Sequence, residues 1–166
     1  MAKLDRIPEA PLSPEIFFGD MVGQLSGALE DVIGMEEASG FVGAVGSAIG
    51  EDMARIYDVT PQAKPARRIA EVCADLKARI GGAFEIRSVD DTTIVLIGHR
   101  CPFADRVVGR PSLCMMTTNV FGRIAAKAAG YANVRIDGAI AMGDRQCRVV
   151  ISLVPTGRDD GHEFFA

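Results

Sequence analysis

Phe84-Glu85-Ile86-Arg87-Ser88-Val89-Asp90-Asp91-Thr92-Thr93-Ile94-Val95-Leu96-Ile97-Gly98 is where the chain changes its period. Phe84 to Arg87 alternates apolar and polar side chains, Asp90-Asp91 turns the chain, and Thr92 to Gly98 is a β-branched run. Alternation, turn and run together predict a β-hairpin. Upstream of it the apolar residues recur at helical spacing, so the hairpin divides a helical front from a mixed back.

Working back from the hairpin, a helix is predicted over Pro65–Ile80, ended by Gly81-Gly82. Before it, a helix over Glu36–Tyr57 carries Gly40, Gly43, Gly46 and Gly50 among Phe41, Val42, Val45 and Ile49. Glycines inside a helix cost roughly 0.5–1 kcal/mol each, so the expected compensation is close approach of another backbone. Their spacing fits neither a dinucleotide loop nor a P-loop with its lysine. The first helix starts at Ser13-Pro14-Glu15, with serine as cap and proline in the first turn. Ile16, Phe17, Met21, Leu25, Leu29, Val32 and Ile33 follow on one periodic stripe until Gly34.

Working forward, residues 100–111 form a loop, and Ser112 is placed to cap a helix that reaches about Ala129 and stops at Gly130. Asn133–Ile140 and Gln146–Val154 make a second hairpin around Gly143-Asp144. The order α-α-α-β-β-α-β-β predicts an α+β domain, with N-terminal helices packed on a four-stranded antiparallel sheet. Residues 1–13 read as an irregular arm, 14–154 as one domain and 155–166 as a loose tail.

With 166 residues, 48% hydrophobic and 24% charged, the chain can bury a core without staples. A net charge of −4 without a dense basic run argues against nucleic acid as a partner. Residues 1–14 lack the pattern of a secretory signal, and no apolar run is long enough to span a bilayer. The expectation is a cytoplasmic protein with no membrane partner and with its thiols reduced.

That compartment gives the cysteines their meaning. Cys101 lies in His99-Arg100-Cys101-Pro102-Phe103, Cys114 follows Pro111-Ser112, and Cys147 opens the last predicted strand on the face of Val149 and Ile151. If the strand stays extended through Cys101, His99 shares its face. Three thiolates and one imidazole suit tetrahedral zinc, and three thiolates suit an iron–sulfur cluster with a further ligand. Paired Cys-x-x-Cys knuckles are absent, which leaves three buried core cysteines as the plain alternative. In a catalytic alternative Cys114 or Cys101 is the nucleophile of a small-molecule hydrolase, with His99 as base and a helix N-terminus lowering the Cys114 pKa. A scaffold role for the glycine-rich helices is the third reading. Met115 and Met116 are expected to line an adaptable cavity for a small-molecule ligand. Cys73 reads as core, His162 as solvated, and Asp105, Arg106 and Arg110 as loop charges able to orient the thiols.

The strings His99 to Phe103, Pro111 to Thr117, Gly130-Tyr131 and Ile140 to Cys147 resemble the methanogen output domain, as does the segment Phe41 to Glu51. That module is related to the vinyl-4-reductase sensor domain and, more widely, to transport-particle subunits of vesicle tethering. The resemblance implies helices on an antiparallel sheet, pairing into a homodimer through the N-terminal helices, and a ligand- or metal-sensing role. It also implies that Cys101, Cys114 and Cys147 are metal ligands. The expectation is therefore a stand-alone sensor that hands its signal to a separate signalling protein.

Overall fold

Ser13 does cap the first helix. In the computed structural model, which describes residues 12–158 and 160–166, the Ser13 hydroxyl accepts from the Ile16 amide at 3.2 Å and opens α1 (Pro14–Ile33). Most of the arm expected over 1–13 lies outside the described residues. Gly34, at φ 88°, takes a backbone angle that favours glycine and leads directly into α2 (Met35–Ile56). α3 (Ala66–Arg79) precedes the predicted hairpin, formed by β1 (Ala83–Val89) and β2 (Thr93–Arg100). Two 3-10 turns, Ala104–Val107 and Pro111–Leu113, lead to α4 (Cys114–Ala129), then β3 (Tyr131–Gly138), β4 (Cys147–Ser152) and β5 (His162–Phe165).

The sheet is antiparallel and has five strands, ordered β1-β2-β4-β3-β5, where four were expected. The added strand lies in the stretch read as a loose tail. Its anchor is Phe164, whose ring fills the space left by Gly122 of α4; a Cβ on that glycine would stand 2.2 Å from the ring. Tyr131 of β3 holds the outer side, with its ring edge-on to Phe165 and its hydroxyl donating to Glu163 at 2.6 Å.

Ile94, Leu96, Val134, Val149 and Ile151 project from one sheet face and form a single core with Ile69, Val72, Phe121 and Ile124 of α3 and α4. α4 is sandwiched, since its other flank carries α2. There the glycines of α2 work as expected: a Cβ on Gly46 would meet the Met116 Cα at 3.2 Å, and one on Gly50 would meet the Val120 Cα at 3.1 Å. Ser112 does not cap α4. The 3-10 turn before the helix swings Ser112 inward, where its buried hydroxyl pairs with Ser26 of α1 at 2.8 Å.

Most of the large apolar residues of α1 and α2 turn away from this core, although Val42 is buried and Met53 packs against it. Ser26 and Gly27 are the buried positions of α1, while Phe17, Phe18, Met21 and Leu25 are exposed. On α2 the small residues Ala38, Gly43, Gly46, Gly50 and Ala54 turn inward, leaving Phe41, Val45 and Ile49 on an outward stripe.

Candidate functional site

Three of the cysteines meet. Antiparallel pairing puts Gly98 of β2 opposite Cys147, the first residue of β4, which stands on the inner face with Val149 and Ile151. Three residues beyond Gly98 the chain has left β2, and Cys101 turns under the sheet edge with Pro102 packed against Gly82. Cys114 is the first residue of α4. The three cysteines, with Phe84, Phe103, Val107, Leu113, Thr117 and Ile136, line one narrow, partly open pocket. Gly98 makes its roof possible, because a Cβ there would overlap the Phe84 ring at 2.5 Å. The free space inside is only about 20 Å³, room for one atom or a single water-sized occupant.

Burial dominates the electrostatics. It pushes the Cys114 thiol up to about 12, with Cys147 and Cys101 adding to the shift, and it raises Cys101 as well. The helix N-terminus was expected to lower Cys114, but desolvation outweighs it. Cys147 accepts a hydrogen bond on Sγ from the Ile140 amide at 3.4 Å. Cys73 lies in the core, fully buried and raised by burial.

Behind the pocket wall, bonded to its Thr117, lies a residue that sequence reasoning missed. Lys77 of α3 is only 3% exposed. Its Nζ donates to the Thr117 hydroxyl at 2.7 Å and sits 5.4 Å and 5.3 Å from the ring centroids of Phe84 and Phe121. Burial brings its pKa down from 10.5 to about 8, against the pull of Cys101 and the other thiols. Set between Leu76 and Ala78 on a helix with charged neighbours, it reads in sequence as an ordinary solvated lysine.

His99 does not join the thiols. The alternation that would align it with Cys101 fails because β2 ends at Arg100, and His99 emerges half-exposed on the outer face, its Nε2 3.4 Å from Glu85 Oε1. It lines a shallow depression there with Asp137, Asp144 and Arg148. His99 is therefore not beside Cys101 or Cys114 as the hydrolase alternative requires, and burial raises both thiols. Met115 and Met116 do not line the thiol pocket either. Met115 faces an open groove shared with Ser47 and His162, and Met116 packs beside the main core under Gly46. His162 opens β5. Arg106 and Arg110 tie the loop to α1 through Asp20 and Glu30, so they position a helix rather than the thiols.

By chemistry alone the donors are those of a soft cation, with three sulfurs and no carboxylate in the lining. The free space of about 20 Å³ is smaller than an iron–sulfur cluster. Nor are the thiols already drawn into a cage, since among the described residues no three His, Cys, Asp or Glu side chains are set to grip an ion as they stand.

The model of the family described as methanogen output domain 1 matches residues 21–152, which includes all three pocket cysteines. The chain belongs to that family. No curated protein matches it. Among solved structures, this methanogen output domain is similar to the phenol-responsive sensory domain of the transcription activator PoxR, crystallised with phenol. The TM-score is 0.68 at 17% identity, over 81% of this chain and 73% of that one. It is also similar to a trafficking protein particle complex subunit 3 from Naegleria fowleri covalently bound to palmitic acid, at TM-score 0.56 and 14% identity, covering 84% and 97%. At such identities both likenesses speak for the fold alone. Among the described residues no helix is long and apolar enough to cross a membrane.

Proposed function

We propose that this chain is a sensory, ligand-binding domain whose input is a zinc ion held by Cys101, Cys114 and Cys147, and that it works as a homodimer. The observation that carries the reading is that thiols 46 positions apart at the extremes line one pocket of about 20 Å³. Organic ligands of ordinary size occupy roughly 300–1,000 Å³, so the small free space of this pocket favours an ion over such a molecule. It favours zinc over a cluster for the same reason. Family membership and the fold shared with a phenol-responsive sensory domain support the sensory role. Bound zinc would supply a thiolate-held cross-link between β2, α4 and β4. The protein's own part is to bring the sulfurs together, exclude water with Phe84, Phe103 and Leu113, and release the thiol protons that burial otherwise retains.

Metal analysis of anaerobically purified protein is expected to find about one zinc per chain. Serine at Cys101, Cys114 or Cys147 is expected to cut affinity by more than about 100-fold, beyond the 10–100-fold range of outer partners. Cys73→Ala serves as the control that leaves binding unchanged. Purified protein that holds no zinc and takes none up on titration would remove the reading.

The homodimer rests on the outward stripes of α1 and α2. Phe17, Phe18, Met21, Leu25, Phe41 and Val45 are all more than 40% exposed, and contiguous apolar surface of this kind marks an interaction face. A signal reaching α4 passes to α2 through their glycine-to-backbone contact, and so to the partner chain or a separate signalling protein. Light scattering is expected to give twice the chain mass for the native protein. Val45→Glu with Ile49→Glu is expected to give the monomer mass with the circular dichroism unchanged; a native monomer sinks the idea.

A further inference from the structure

Lys77 raises a question that zinc ligation by three cysteines does not answer. Its ammonium lies within a wall of aromatic rings and thiols, and its one hydrogen-bond acceptor is the neutral hydroxyl of Thr117. Among the described residues no salt bridge reaches it, and no carboxylate lines the adjoining pocket. A buried cation without an opposite charge is costly, and ring faces recover only part of that cost. Thr117 itself lines the pocket, so the ammonium stands one side chain behind the cavity wall. Among the described residues the pocket lining offers this charge no anionic side chain of the carboxylate kind, so its compensation has to come from the thiol site itself.

We propose that Lys77 is the counter-charge of the thiol site and sets its selectivity for a divalent ion. Three thiolates around a divalent cation leave one net negative charge, and one ammonium cancels it. The loaded site is then neutral as a whole inside a low-dielectric interior, the condition under which a buried charged group is tolerated. Lys77 acts through the thiols without touching the metal. It is a positioning residue in the outer shell, which in other metal sites is worth 10–100-fold in affinity. This inference rests on the zinc reading above.

The test titrates zinc, and separately cobalt(II) as a spectroscopic probe, into metal-free native protein, Lys77→Met and Lys77→Gln. Both variants are expected to lose about 10–100-fold in zinc affinity. Both are also expected to show weaker thiolate-to-cobalt charge-transfer absorption at equal cobalt, because the negative charge of the loaded site then has no counter-charge beside it. Two neutral replacements of different polarity separate loss of charge from loss of packing. If either variant folds and binds zinc as tightly as the native protein, with the same cobalt spectrum, the role of Lys77 is overturned while the zinc site stands. If the native protein itself binds no zinc, both fall together.

Discussion

Replacing Phe121 by alanine is expected to cost about 3–5 kcal/mol of folding stability, the range for deleting a fully buried phenylalanine. Phe121 has no exposed surface and lies in the core between α4, α3 and the sheet. Its ring meets Phe84 edge-on, 6.1 Å between centroids at 85°, and offers a face to the Lys77 ammonium. Alanine leaves a cavity at the one place where both helices and β1 converge, and rigid strands on one side limit collapse. Urea unfolding is the measurement: the midpoint should fall with the slope unchanged. Phe165→Ala, at an exposed position on β5, should stay within about 0.5 kcal/mol. Equal costs for the two would mean that the core is not where the packing places it. Because Phe84 roofs the thiol pocket, Phe121→Ala should also weaken zinc uptake while every cysteine is intact.

Lys77→Met is expected to act in the opposite direction and stabilise the metal-free protein at pH 7 by up to about 3 kcal/mol, the free energy matching a pKa drop from 10.5 to about 8. In the unfolded chain the amine holds its proton up to about pH 10.5; in the fold it holds it only to about 8. Below pH 8 both states are protonated, and the fold carries the whole cost of burying the charge. Between pH 8 and 10.5 the unfolded chain binds more protons, so stability of the native protein rises with pH and the advantage of methionine fades. Denaturation of both proteins from pH 6 to 10 checks the result, and a methionine variant of unchanged or lower stability at pH 7 refutes it. A residue whose removal strengthens the fold and weakens metal binding is retained for the site, not for stability.

Much of the architecture was readable because its signals are local. Ser13 and Pro14 start a helix within one turn of themselves, and Gly34 and Gly130 end helices by backbone angles that need no distant partner. Alternation in β4 places Cys147 on the inner face whatever packs there. The glycines of α2 announced a close backbone contact, although nothing in them named α4 as the neighbour. β5 escaped notice because His162–Phe165 has only four residues, behind glycine and acidic residues, and takes its anchorage from Gly122 some forty positions away. The apolar stripe of α1 was legible as a stripe, but a stripe carries no information about whether a core or open surface lies beneath it.

The site divides in the same way. From the sequence alone came the α+β class, the start of α1, the ends at Gly34 and Gly130, the two hairpins and the three cysteines that line the pocket, since each of these depends on residues close along the chain. Only the tertiary structure decided that those thiols share one pocket, that His99 leaves it where β2 stops, and that Lys77 stands buried behind it. The reason is physical. Which face a side chain takes is set by neighbours within a few residues, whereas burial and charge pairing are set by whichever elements pack against it, here α3, α4 and the sheet brought together from across the chain.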